Sequence, residues 1–151
     1  VIPNVSGKTT QPIATSKIVK EIKVGTDLAK TLDIKMIYFD LDKSYIRADA
    51  SVELEKILDA MQQYPAMRVD VRSHTDCRQT AAYNMALSDK RVKATIAWLI
   101  SKGINPVRLT GRGYGEYQLV NDCGCEPTNQ STCTEEQHQA NRRSEFIITA
   151  M

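Results

Sequence analysis

The stretch from Ser73 to Lys102 constrains this chain most, because it joins an alternating strand to a long one-sided helix across a single polar corner. Over residues 67–73, Met67, Val69 and Val71 alternate with Arg68, Asp70 and Arg72, the period-two pattern of a strand with one buried face. Residues 81–102 place Val92, Ile96, Leu99 and Ile100 on one helical stripe and Lys90, Lys93 and Lys102 toward water, and Gly103 supplies the stop. A strand and a helix that each carry one apolar face must bury it on another element, so the stretch asks for a helix packed on a sheet.

The rest of the chain repeats the alternation. Residues 1–16 mix Pro3, Gly7 and Pro12 with Ser, Thr, Asn and Gln and read as a linker or arm; residues 17–24 add an edge strand in which lysines discourage further pairing, broken at Gly25-Thr26-Asp27. The expected division is therefore an N-terminal arm over 1–30 and one domain over 31–151. Residues 32–39 predict a strand, 40–44 a corner, and 49–64 a helix with Leu54, Ile57, Leu58 and Met61 at helical spacing, closed by Pro65. Residues 107–112 predict another strand and 144–149 the last one. The segment 119–140 is long for a loop in a compact domain and needs something to order it. Strand, helix, strand, helix, strand, strand describes an α/β (α+β) sheet with helices on one face, and the sequence alone leaves the strand order open.

The corner at His74-Thr75-Asp76 offers a carboxylate, and Arg91 on the following helix offers a guanidinium. The pair suits a zwitterion, with Asp76 on the ammonium and Arg91 holding the carboxylate in a two-bond fork. His74-Thr75-Asp76, Tyr83-Asn84, Leu87-Ser88 and Arg91, with the upstream Phe39-Asp40-x-Asp42-Lys43-Ser44-x-Ile46 and the downstream Gly113-Tyr114-Gly115-Glu116 and Asn141-Arg142-Arg143, resemble the signature of the OmpA-like peptidoglycan-binding domain. Several separated motifs in the right order are more specific than any one of them. The resemblance covers about residues 34–151 and implies a two-layer sandwich with a mixed β-sheet. It also implies a non-catalytic site that grips the diaminopimelate end of a peptidoglycan stem peptide. On that likeness Asp76 takes the ammonium and Arg91 the carboxylate. Thr75 and Asn84 contribute polar contacts at the rim, Asp42 lies near the ligand, and Arg142 approaches from the far side, while Arg143 makes a structural ion pair. The family has glycine three residues after the aspartate, where Gln79 stands here, and the insertion between Gly115 and Asn141 is longer than its simplest pattern.

Charge and cysteine content narrow the alternatives. Twenty basic residues against 18 acidic ones give a net charge of +2 with no long basic block, so there is no electrostatic footprint for nucleic acid. No apolar run approaches the ~20 residues of a membrane-spanning helix, and membrane attachment is expected only through a parent protein or an upstream domain. Cys77, Cys123, Cys125 and Cys133 form an even set without a C-x-x-C pair, which favours disulfides in an oxidising compartment over structural zinc. A Cys123–Cys125 ring is too strained, leaving two pairings. Cys123 with Cys133 and Cys77 with Cys125 is expected, closing the loop on itself and pinning it beside Asp76; the swapped pairing is the alternative. The location that follows is the periplasm, attached to the outer membrane through the parent protein. No cofactor is expected. Two other functions compete: a zinc-dependent hydrolase using His74, Asp76, Cys77 and His138 with a loop cysteine, and an interaction module of the same fold that binds no ligand.

Overall fold

The computed structural model describes residues 22–34, 45–125 and 131–151. The central strand is β1, Arg68–His74, and its neighbours are β2, Leu109–Gly115, which runs parallel to it, and β3, Ser144–Ala150, which runs antiparallel. Among the described residues the sheet is thus mixed, in the order β2-β1-β3. Val69 and Val71 of β1 stand opposite Ile148 and Phe146 of β3, and all four are buried.

Helix α2, Ala48–Gln63, and helix α3, Ala81–Ser101, cover that face. Leu54, Ile57 and Met61 of α2 and Val92 and Leu99 of α3 join the two valines, Phe146 and Ile148 in one core. Thr80 caps α3 by accepting from the Tyr83 N–H at 3.1 Å, and Gly103, at φ +107°, follows its C-cap as the left-handed residue that ends it. Arg108, in a 3-10 turn over Pro106–Arg108 just before β2, closes the end of α2. Its guanidinium donates to the carbonyls of Met61, Tyr64 and Met67 at 2.7 to 2.8 Å, where a helix C-terminus favours positive charge.

Three expectations change. The stripe of α3 that meets the sheet is Asn84, Ser88, Val92, Thr95 and Leu99, while Ile100 is 38% exposed and Ile96 sits at the margin. The polar members are used: Ser88 Oγ accepts from the Gly115 N–H, and Thr95 Oγ1 donates to the Arg91 carbonyl. A short helix α1, Leu28–Thr31, precedes the expected strand over 32–39, and Leu32 and Asp33 form the turn that ends it. Residues 35–39 of that strand, Asp42, and residues 1–21 of the expected arm and edge strand lie outside the described residues. The described part of the arm is packed, since Leu28 is fully buried and Gly25 and Thr26 exchange backbone hydrogen bonds with Ile148. Within the long insertion, α4, Glu135–Gln139, forms a further helix, capped reciprocally by Thr134 and Gln137.

Candidate functional site

Parallel β2 ends, and antiparallel β3 begins, at the end of the sheet where β1 finishes. That topology gathers three chain segments at the residues just beyond His74. The Thr75 N–H donates to the Gly115 carbonyl and the His74 N–H to the Arg143 carbonyl, so the corner continues the sheet for a step in each direction. Asp76 comes next and is only 6% exposed.

Local contacts fix the corner. The Thr75 hydroxyl donates to the Asp76 carbonyl at 2.8 Å, and Asn84 Nδ2, from the first turn of α3, donates to the same carbonyl at 3.2 Å and to Glu116 Oε1 at 2.9 Å. The expected rim residues Thr75 and Asn84 are thus buried and hold the backbone of the corner. Below them His74 is buried against Tyr114, ring centroids 5.3 Å apart, with Nε2 2.9 Å from Glu145 Oε1. Burial pushes the His74 imidazole down despite that carboxylate. The neutral ring donating from Nε2 leaves only a lone pair on the buried Nδ1, which has no partner among the described residues, and this costs less than an unpaired N–H there.

The Asp76 carboxylate is fully engaged. Oδ1 accepts from the Arg78 N–H at 2.9 Å, and Oδ2 accepts from Arg78 Nη2 at 2.8 Å and from Arg142 Nη1 at 2.6 Å. Burial alone would raise this carboxyl, but the hydrogen bonds from Arg78 and Arg142 outweigh it and hold it below the ordinary carboxylate range. The two guanidinia meet again on Glu135 of α4: Arg78 Nη1 lies 2.9 Å from Oε1 and Arg142 Nη2 2.7 Å from Oε2. Asp76, Arg78, Glu135 and Arg142 therefore close a ring of alternating charge.

Of the residues expected from the sequence, Asp76, Thr75, Asn84 and Arg142 come together here. Arg91 lies on α3 seven residues beyond Asn84, half-buried and partnered. Arg143 is structural, donating to the carbonyls of Gln118 and Asn141 and lying 3.5 Å from Glu145. Asn141 is fully buried and pins the insertion by accepting from the Val120 N–H and donating to Asn121. Sequence reasoning missed Arg78 and Glu135, and it named Glu116 within the Gly113-Tyr114-Gly115-Glu116 motif without giving it a role. Position 78, two residues after the aspartate on a tight corner, was the available signal for the first of them.

Both disulfides have the expected pairing, Cys77–Cys125 and Cys123–Cys133, with Cα separations of 5.4 and 5.9 Å. The first ties the insertion to the residue after Asp76, and the second ends one residue before the Thr134 cap of α4. With all four sulfurs cross-linked, Cys77 and the loop cysteines offer no thiolate to the zinc reading. A separate cavity of about 490 Å³ lies between α1 and the start of β3, lined by Asp27, Lys30, Arg143 and Glu145 among others, with Asp76 not in its wall.

A sequence model of the OmpA family matches residues 38–132. Outer membrane porin F of Pseudomonas fluorescens is 36% identical over 119 residues, 79% of this chain and 33% of that protein. The peptidoglycan-associated lipoprotein of Brucella melitensis is 39% identical over 90 residues, 60% of this chain and 54% of the relative. The chain thus spans a third to about half of the length of these relatives. In three dimensions it is similar to the crystal structure of the peptidoglycan-associated lipoprotein from Burkholderia pseudomallei, with a TM-score of 0.64 and 21% identity over 80% of this chain and 96% of that one, a likeness of fold.

Proposed function

The chain belongs to the OmpA family, and from that premise we propose that it is a non-catalytic anchoring domain that binds peptidoglycan through the diaminopimelate end of the stem peptide. The observation that carries the reading is Asp76: a carboxylate buried at the end of the central strand, on the family's His-Thr-Asp corner, and kept ionised by its surroundings. A ligand ammonium exchanges onto this carboxylate, and Arg91, seven residues along α3 from Asn84, takes the neighbouring carboxylate in a fork. Arg142, 2.6 Å from Asp76, approaches the ligand from its far side in this reading, and Asp42 belongs to the same proposed rim. The names of the relatives, an outer membrane porin and peptidoglycan-associated lipoproteins, support a periplasmic position in which a parent protein supplies the link to the outer membrane.

The test is retention on purified peptidoglycan. Asp76→Ala and Arg91→Ala each remove one partner of a desolvated charged contact, a loss of about 2 to 5 kcal/mol, or ~30-fold and more in affinity. Lysine-type peptidoglycan, which lacks the carboxylate that Arg91 reads, should be retained far less than the diaminopimelate type. Retention of both variants at wild-type level removes the assignment of these two residues. Failure of the wild-type domain to be retained leaves the interaction module without a ligand as the better reading.

A further inference from the structure

Glu135 sits where a carboxylate from outside would sit. Each of its two oxygens takes one guanidinium, Oε1 that of Arg78 and Oε2 that of Arg142, and those guanidinia present their other nitrogens to Asp76. The group is electrically balanced only with Glu135 in place: two guanidinia against Asp76 alone leave one positive charge uncompensated. The two carboxylates differ in burial. Asp76 has 8% of its side chain exposed, whereas Glu135 has 63%, so water competes for Glu135 and little of the strength of a buried pair is available to hold it.

We propose that Arg78 and Arg142 form a carboxylate seat, filled by Glu135 in the resting protein and taken over by a carboxylate of an acidic peptide ligand. Resting on the peptidoglycan reading above, it assigns a further specificity contact to that site. The outward nitrogens Arg78 Nη1 and Arg142 Nη2, each now within 3 Å of a Glu135 oxygen, present a two-point receptor suited to the planar fork of a carboxylate. Glu135 belongs to the first turn of α4, and α4 follows directly on the Cys123–Cys133 disulfide, so the insertion delivers the competing carboxylate to a defined place. The resting contact lowers affinity for the ligand, because every carboxylate that enters must first displace this one.

The experiment compares wild type, Glu135→Gln, Arg78→Ala and the Glu135→Gln/Arg78→Ala double variant for retention on diaminopimelate-type peptidoglycan at low ionic strength. Removing the internal competitor should tighten binding by about 1.5-fold to fivefold, the range for exchanging exposed charge contacts. The gain should shrink when Arg78 is also removed, because only the Arg142 half of the seat is then left to release. A variant that merely loosened the fold would lose affinity, so a gain is a readout that a structural role for Glu135 does not produce. Equal or weaker binding by Glu135→Gln, with wild type retained, overturns the seat and leaves Glu135 as a brace for the insertion. A gain that is undiminished without Arg78 also overturns it. Retention of neither wild type nor Glu135→Gln overturns the peptidoglycan reading itself, and the seat with it.

Discussion

Gln79 adopts φ +120°, a backbone conformation that costs a side-chain-bearing residue on the order of 1–3 kcal/mol and a glycine almost nothing. It is held there from both sides: Arg78 is clamped to Asp76 by backbone and side chain, Cys77 is cross-linked to Cys125, and Thr80 caps α3. Gln79→Gly should therefore raise stability by about 1 kcal/mol, the strain relieved less the extra freedom of an unfolded glycine, and Gln79→Ala should give no gain; urea midpoints measure both. Asp76 sets a pH dependence. Its folded carboxyl titrates below the ordinary value, so the unfolded chain takes up the proton first, and the stabilisation is complete above about pH 4 and lost as pH falls through the lower folded value. Asp76→Asn should cost about 1 to 3 kcal/mol at neutral pH, and the difference from wild type should shrink below pH ~4 in denaturation curves. A gap that stays constant into strong acid would show that the charge of Asp76 is not what stabilises the corner.

The contact between α3 and β2 depends on an absence of side chains. Gly111 and Gly113, two apart on β2, face the sheet's helical layer, and a Cβ on Gly113 would collide with Ser88 Oγ and with the backbone of Ser88 and Asp89. That closeness lets Ser88 Oγ reach the Gly115 N–H at 2.9 Å and Asp89 Oδ1 reach the Gly113 N–H at 3.3 Å, so the helix ties down the strand that delivers Glu116. Gly113→Ala must move backbone, which yields less than a flexible side chain, and should destabilise by about 1–3 kcal/mol or more. Gly124→Ala, with no described residue within 4 Å of the added carbon, should be near neutral. Chemical denaturation of the two variants side by side checks this. Equal effects would mean that α3 rides on the sheet more loosely than these distances show.

At the scale of the molecule, core and insertion are stabilised by different means. Among the described residues the core side chains come from α1, α2, β1, α3 and β3, together with Met67, Ile104 and Leu109, and apart from the buried Cys123 and Cys125 the described part of the insertion contributes little apolar burial. The two disulfides close separations of 48 and 10 residues, worth about 4 and about 3 kcal/mol in the chain-entropy account. Reduction should thus release the insertion, and with it Glu135, while the sheet stays folded. In hydrogen exchange the amides of β1 and α3 should remain protected under conditions in which those of α4 exchange freely. Loss of protection in both together would show that the cross-links hold the whole fold.

The residues alone determined whatever depends on neighbours along the chain. Alternation over 67–73 gave β1, helical spacing gave α2 and α3, and ring strain between Cys123 and Cys125 reduced the pairings to two. Several separated motifs carried the family and placed Asp76 on a corner. Tertiary structure decided the rest, because the deciding contacts join residues far apart in sequence. Only the order β2-β1-β3, with one neighbour of β1 parallel and the other antiparallel, brings the end of β2 and the start of β3 to the same place, so that Arg142 reaches Asp76 across 66 residues and Arg78 reaches Glu135 across 57. Arg78 and Glu135 taken singly look like solvated charges. The stripe on α3 misled for a related reason: apolar spacing pointed to Ile100, but the glycines of β2 leave room for a helix so close that Ser88 hydrogen-bonds to the strand's backbone.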